Sequence, residues 1–325
     1  MFFKKHTLLG ALFIACMAVS TPSIAQTYPE QPITMVLPFP AGGVTDVVAR
    51  LVAQEMQESM KQPVIVENRP GAGGQIAAHR VKNGKADGHT VFVAATEMFA
   101  INPTLYQDFS FDPIADFHPV TTLVTSPLVL VVPQDSPINS VNELIAHSKK
   151  QEKGIDYASQ GIGSIGHLLG GLFIEKTGAK LVHVPYRGSS PALQDVMSGR
   201  VAMMFDPIIT TSPLIKGGKL KPLAIASEKR SALLPDVPTL AELGIDGVDA
   251  GVWFGAVVKK GTPEPIVERL NQEILKAMES SKVSQRFTEQ GLEPIPMTSK
   301  QFGNYLEREN TQWIPLVKAS GARVE

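Results

Sequence analysis

Two stretches of the chain combine residue types and spacings suited to holding an anion. The first is Pro38-Phe39-Pro40-Ala41-Gly42-Gly43-Val44-Thr45-Asp46. It lies between the apolar run Ile33 to Leu37 and a segment from Val47 to Met60, in which Val48, Leu51, Val52, Met56 and Met60 recur at helical spacing. This pattern predicts a strand-to-helix turn. Gly42 and Gly43 let the backbone fold tightly and leave no side chain in a ligand's way. First-turn N–H groups point out of such a turn, where the helix dipole favours negative charge. Thr45 or Asp46 is placed to cap the helix. A connection that merely turns the chain uses the same residues, so this stretch alone leaves both readings open.

The second stretch is Gly161-x-Gly163-x-x-Gly166, between a strand-like Ile155 to Ser159 and a helix-like Leu168 to Lys176. It matches the dinucleotide fingerprint literally. That fingerprint also needs an acid about 20 positions on, at the end of the next strand, and Leu181 to Tyr186 holds none. What remains is the physics any anion uses: free N–H groups at a helix start, with the Ser159 and Ser164 hydroxyls beside them. His167, in the first turn of that helix, either donates to a ligand carboxylate or packs under the loop. Asp206 follows an apolar strand and either faces a ligand amine or hydroxyl or caps a turn. Arg187 is a carboxylate clamp or a solvated cation, and Trp253 a cleft wall or a core residue.

Catalytic constellations do not assemble. The sequence has no Gly-x-Ser-x-Gly elbow, no Walker lysine and no His-Glu-x-x-His. His79, His89, His118, His147 and His183 lack partners at metal-ligand spacing, and His183 reads as structural within a β-branched strand. Glu67, Asp87 and Glu97 do not form an acid/base pair by spacing. For a hydrolase, Ser164 with His167 and Asp206 is the best set available, and it is a poor one.

The elements that position these turns alternate. After the first turn and its helix come a strand at Pro63 to Glu67, a glycine-rich turn at Gly71 to Gly74, a short helix Gln75 to Lys82 and a strand Thr90 to Ala94. Such alternation predicts a parallel sheet with helices on its faces, and ligands bind beyond the carboxyl ends of its strands. The turns Phe39 to Asp46, Gly71 to Gly74 and Ala95 to Asn102, the last including Thr96, gather at that edge. Val129 to Val132 is an apolar strand leading into a second unit. That unit opens with a capping box at Ser140 to Glu143 and contains strands at Ile155 to Ser159, Leu181 to Val184, Val201 to Phe205 and Pro222 to Ala226. Val252 to Val258 is the return strand, and Phe302 to Ile314 is expected on helices packed outside. A cleft between two such α/β units would let the two anion-friendly turns face each other.

Composition narrows the class. Met1 to Ala25 reads as a cleaved export leader: Lys4 and Lys5, an apolar core from Thr7 to Val19, and the small-x-small site Ser23-Ile24-Ala25. Cys16 is the only cysteine and lies in the leader, so thiol chemistry, disulfides and cysteine-held metals drop out of the mature chain. Phe13-Ile14-Ala15 is a poor lipidation motif before Cys16. The leader takes two of the 30 Lys+Arg and none of the 31 Asp+Glu, which leaves a slightly acidic chain and argues against a nucleic-acid partner. The remaining length suits about two domains.

The motifs, taken in order, resemble the tricarboxylate-type (Bug family) periplasmic solute-binding receptors of tripartite tricarboxylate transport systems. The resemblance runs from Tyr28-Pro29 through Pro38-Phe39-x-Ala41-Gly42-Gly43-x-Thr45-Asp46, Val66 to Gly74 and Ala86-Asp87-Gly88-His89-Thr90. It continues through Tyr157-Ala158-Ser159-x-Gly161-x-Gly163-Ser164, His183-Val184-Pro185-Tyr186-x-Gly188 and Leu234 to Thr239. It implies an α/β, periplasmic-binding-protein type II fold with two Rossmann-like lobes and a cleft that closes on a small carboxylate. Lobe 1 would comprise 26–126 and 251–325, and lobe 2 would comprise 127–250. The ligand would be held by Phe39, Ala41, Gly42, Gly43, Thr45 and Asp46 on one lobe. Ser159, Gly163, Ser164, His167, Tyr186 and Asp206 would hold it on the other, partly through waters. Pro40, Val44 and His89 depart from the family pattern without removing a donor. The expected partners are the carboxylate and the transporter's membrane subunits, with no cofactor and a monomeric, periplasmic receptor. A ligand-sensing coreceptor for a signalling system would need the same closing cleft, and the sequence does not name the carboxylate.

Overall fold

The computed structural model describes residues 28–248 and 250–324. The leader expectation for Met1 to Ala25 therefore lies outside the described residues. The first half runs β1 (Ile33–Leu37), α1 (Val44–Met60), β2 (Val64–Asn68), α2 (Gln75–Lys82) and β3 (Thr90–Ala95). A π-turn, Glu97–Ile101, then leads into α3 (Asn102–Leu105) and β4 (Phe117–Pro133). The second half continues with α4 (Val141–Lys150), β5 (Ile155–Ser159), α5 (Ile165–Thr177), β6 (Leu181–Pro185), α6 (Ser189–Met197), β7 (Met203–Pro207), α7 (Ile208–Lys216) and β8 (Leu220–Ala226). The chain returns through β9 (Gly251–Lys259), α8 (Glu264–Glu279), α9 (Ser281–Glu289), β10 (Glu293–Pro294) and α10 (Ser299–Ser320).

The strands follow the order β2-β1-β3-β9-β4-β7-β5-β6, with β8 and β10 also paired to β4. Within the first half β1 is parallel to both β2 and β3, and within the second β5 is parallel to both β6 and β7. The alternation of strand and helix in the sequence requires this arrangement, because each short strand–helix unit returns the chain in the same direction. All the turns of interest therefore sit at carboxyl ends of parallel strands.

β4 differs from expectation. It is one strand of 17 residues, whereas the sequence predicts only Val129 to Val132. Phe117 to Pro127 pair with β9, and from Leu128 onward the partners change to β7 and β8. Thr121, Thr122 and Ser126 are buried in this strand and break the apolar run that a sequence reading relies on. The change of partners makes β4 the principal join between the two halves.

The C-terminal segment differs too. Its helix packs by one face but spans both halves: α10 sends Phe302 and Leu306 into a core shared with Phe92, Phe99 and Trp253, and sends Trp313 and Val317 into the second half's core with Leu168, Phe173 and Phe205. Trp253, at 1% exposure, is a core residue. It stacks on Phe99 with ring centres 5.7 Å apart, and its Nε1–H donates to Glu309 Oε2 at 2.7 Å. Trp313 Nε1–H donates to the same oxygen at 3.1 Å. The capping box at Ser140 is half formed: its hydroxyl accepts from the Glu143 N–H, but Glu143 accepts from Asn139 N–H in turn.

Candidate functional site

The first turn is braced from beneath. The α1 N-cap is Gly43, with no side-chain cap, so Thr45 and Asp46 lie inside the first turn and do not cap it as the sequence suggested. Asp46 is 3% exposed and folds back under the turn. One of its oxygens accepts from Gly42 N–H (3.0 Å) and Arg50 Nε–H (2.9 Å), and the other accepts from Asn68 Nδ2–H (3.0 Å). Asn68 also donates to Phe39 O at 3.0 Å, fastening the two ends of the turn to β2. The Arg50 guanidinium, with help from Gly42 and Asn68, holds the Asp46 carboxyl down at about 2 against the opposing effect of burial. Gly42 takes φ +85°, a conformation that favours glycine. Ala41, Gly42 and Gly43 are exposed, Thr45 is buried, and Phe39 is half-buried against the first-half core. The turn thus offers backbone amides at its rim, with its own carboxylate neutralised beneath.

The second turn is wired to itself. Ser164 caps α5, accepting from His167 N–H and donating to Gly161 O at 2.7 Å. Ser159, fully buried, accepts from Gly161 N–H at 3.1 Å and lies 2.6 Å from His183 Nε2. Gly163 N–H donates to His167 Nδ1 at 3.1 Å. This fixes the His167 tautomer with its proton on Nε2, which has no hydrogen-bond partner among the described residues. His167 and His183 stack with ring centres 3.8 Å apart and planes 13° from parallel. Burial lowers the basicity of His167. Burial, and then the neighbouring His167, takes His183 down to about 4. Both rings are therefore neutral at pH 7.

Tyr186 and Asp206 brace this turn directly. Tyr186 N–H donates to Ser159 O at 3.1 Å, and its hydroxyl donates to Asp195 Oδ2 at 2.8 Å. Asp206 is fully buried and accepts from Gln160 Nε2–H (2.6 Å), Ser189 Oγ–H (2.6 Å) and the Thr210 hydroxyl. Burial pushes its carboxyl up while these three donors pull it back. Thr96 is also buried. Its hydroxyl accepts from Trp253 N–H at 2.9 Å and ties the end of β3 to β9.

The structure thus assembles Ser159, Gly163, Ser164 and His167 in one turn, with Tyr186 bonded to Ser159 and Asp206 to Gln160. Phe39, Ala41, Gly42, Gly43, Thr45 and Asp46 form the other turn. The segment after β3 spans the halves: a Cβ added to Gly163 would lie 2.6 Å from Leu105 Cδ1. A cavity of about 400 Å³ near the crossing strands, lined by Thr125, Ser227, Glu293, Arg308 and Trp313 among others, includes none of these residues. The helix N-termini that could receive an anion lie at the two turns instead. Among the described residues no group of three or more His, Cys, Asp or Glu is placed to hold a metal, and no helix is long and apolar enough to cross a membrane.

Sequence reasoning missed the bracing residues. Arg50 stands four residues after Asp46, a helix-pair spacing that would have revealed the ion pair. Asn68 sits in a quoted motif, but its reach across to Phe39 O depends on the β1–β2 register. His183, read as structural, stacks directly on a predicted site residue because β6 lies beside β5.

Comparison with known proteins gives the lineage. Residues 48–322 match the model of the tripartite tricarboxylate transporter family receptor. The chain is 37% identical to Protein BugT of Bordetella pertussis over 315 residues, 97% of each chain. Among solved structures it is similar to an R. palustris protein determined with adipate, at 34% identity and TM-score 0.77, covering 91% of this chain and all of that one. It is also similar to MatC from Rhodopseudomonas palustris with bound malate, at 33% identity and TM-score 0.73, covering 89% and 100%. These neighbours are periplasmic solute-binding proteins of type II, so the expected fold class holds, and the family consists of receptors, not enzymes. The chain belongs to the tripartite tricarboxylate transporter receptor family, as a solute-binding protein.

Proposed function

We propose that the two turns close on the carboxylate of a small organic acid, which the receptor then hands to the membrane subunits of its transporter. One observation carries this reading. Each turn presents a helix N-terminus, with Asp46 ion-paired to Arg50 beneath the first and His167 uncharged in the second, so negative charge is welcome without a bound cation. The rim amides of Gly43 and Val44 and the Nε2–H of His167 are the donors, working directly or through water. The lobes would be 26–126 with 251–325, and 127–250; the change of β4 partners after Pro127 and the start of β9 at Gly251 support that division, with Trp313 and Val317 crossing it. On this reading the receptor is exported by its leader, acts in the periplasm and works as a monomer.

The test is thermal melting of the chain from Gln26 onward against a panel of small carboxylates. A ligand at about 100 times its dissociation constant adds about 2.7 kcal/mol to stability. The expected result is a rise in melting temperature with one chemical series, diminished in Gly43→Pro, which alters the turn's backbone and removes one rim amide. No rise with any carboxylate refutes the reading.

A further inference from the structure

Four acids stand at or near the carboxyl ends of the parallel strands, and three of them are occupied, Glu67 by Arg69. Asp46 has Arg50, Asn68 and Gly42, and Asp206 has Gln160, Ser189 and Thr210. Glu97 has no side-chain hydrogen-bond or ion-pair partner among the described residues; only its own main-chain N–H assists it. Yet it is half-buried, and burial raises its carboxyl pKa. A carboxylate surrounded by protein and left unpaired is costly unless something outside the chain compensates it.

Its place in the fold shows what that would be. Thr96, just before it, is fastened to Trp253. Met98, just after it, sits beside the first turn: a Cβ on Gly74 would meet Met98 Cγ at 2.8 Å and Pro38 Cβ at 3.3 Å. Ile101, one turn further along the same face, is buried in the second half's core with Ile165 and Leu168 of α5, and Leu105 reaches the position of Gly163. Glu97, four residues before Ile101, is thus carried, partly exposed, by the segment that runs from beside the first turn at Met98 to the second turn at Leu105.

We propose that Glu97 selects an amino-carboxylate, its carboxylate receiving the ligand's ammonium while the neutral donors of the turns hold the ligand's carboxylate. The inference rests on the carboxylate-binding reading above. A second ligand carboxylate beside Glu97 would be repelled, which disfavours dicarboxylates such as the adipate and malate bound in similar structures. A site built around a charge-assisted hydrogen bond discriminates strongly against the analogue that lacks the donor.

The experiment titrates matched pairs into the chain from Gln26 onward at pH 7.5, by calorimetry and thermal melting. The pairs are β-alanine with propionate, 4-aminobutyrate with butyrate, and L-aspartate with succinate. In at least one pair the amino member should bind about tenfold tighter than its partner, or more, and in Glu97→Gln that ratio should fall within about threefold. The unliganded Glu97→Gln protein should melt no lower than wild type, since the substitution removes an uncompensated charge. Glu97→Asp, which keeps the charge on a shorter arm, should retain the sign of the preference. Tighter binding of propionate, butyrate or succinate than of their amino partners overturns the proposal but leaves carboxylate capture standing. Discrimination that survives Glu97→Gln does the same. A chain that responds to no carboxylate in any pair, or in the wider panel, overturns both.

Discussion

Replacing Asp46 with asparagine tests whether the first turn is braced by charge or merely by shape. The side chain keeps its size, but one carboxylate oxygen becomes an N–H₂ group. Each oxygen of Asp46 now faces donors: Gly42 N–H and Arg50 Nε–H on one, Asn68 Nδ2–H and Arg50 Nη2–H, at 2.9 Å, on the other. Either orientation of the amide sets donor against donor. The wild-type carboxyl is held at about 2, below its ordinary value. Linkage converts that depression into roughly 2.5 kcal/mol at most. Arg50 is half-exposed, and solvent screening reduces the figure to about 1 kcal/mol. The sign follows from the depression: the contribution is complete above the unfolded pKa near 4 and is lost as pH falls through about 2. Urea denaturation at pH 7 should therefore show Asp46→Asn less stable by about 1–2 kcal/mol, with the gap narrowing at pH 3 and closing near pH 2. An equal gap at every pH would mean that the turn is held by packing, and the electrostatic account would fail.

Other outcomes follow from the same geometry. Gly163→Ala places a Cβ 2.6 Å from Leu105 Cδ1 at φ +76°, and should cost about 1–2 kcal/mol from the backbone conformation alone. Adding Leu105→Ala to Gly163→Ala should relieve the contact but not the backbone strain, which denaturation of the single and double variants resolves. The depressed His183 pKa predicts a stabilising contribution complete above pH 6.5 and lost as pH falls toward about 4. In a proton NMR titration its ring should half-protonate near 4, and His183→Gln should flatten the acid side of the stability profile. Glu309→Ala leaves the buried indole N–H groups of Trp253 and Trp313 without their shared acceptor. It should destabilise by about 2–4 kcal/mol in the same denaturation assay.

Much of the fold was legible because strand–helix alternation repeats with short connections. β1, α1, β3, β5 and α5 fall where their hydrophobic spacing places them, and the glycine turns between them mark the strand ends. The long strand was not legible, because Thr121, Thr122 and Ser126 are polar yet buried, the two threonines satisfied by Met297 O and Ile295 O, far away in sequence. The two turns were legible as types of turn but not as hydrogen-bond circuits. That Asp46 faces inward depends on Asn68, which arrives from a different strand. That Thr96 serves β9 depends on a residue 157 positions away. Glu97 was passed over because spacing offered it no acid partner; its interest lies in that lack, which shows only once the surrounding chain is folded.

The path of α10 has a consequence for how the molecule can be taken apart. The stretch from 127 to 250 is continuous in sequence and supplies most of the second half, yet its core is completed by Trp313 and Val317, which arrive from the far end of the chain. Cut out alone, that stretch would expose a patch shaped for a helix it no longer has. Synthesis from the N-terminus meets the same gap, since the last core side chains emerge only after nearly the whole chain is made. The two halves should therefore melt together in one transition, and truncation before Trp313 should unsettle the half built mainly from 127–250.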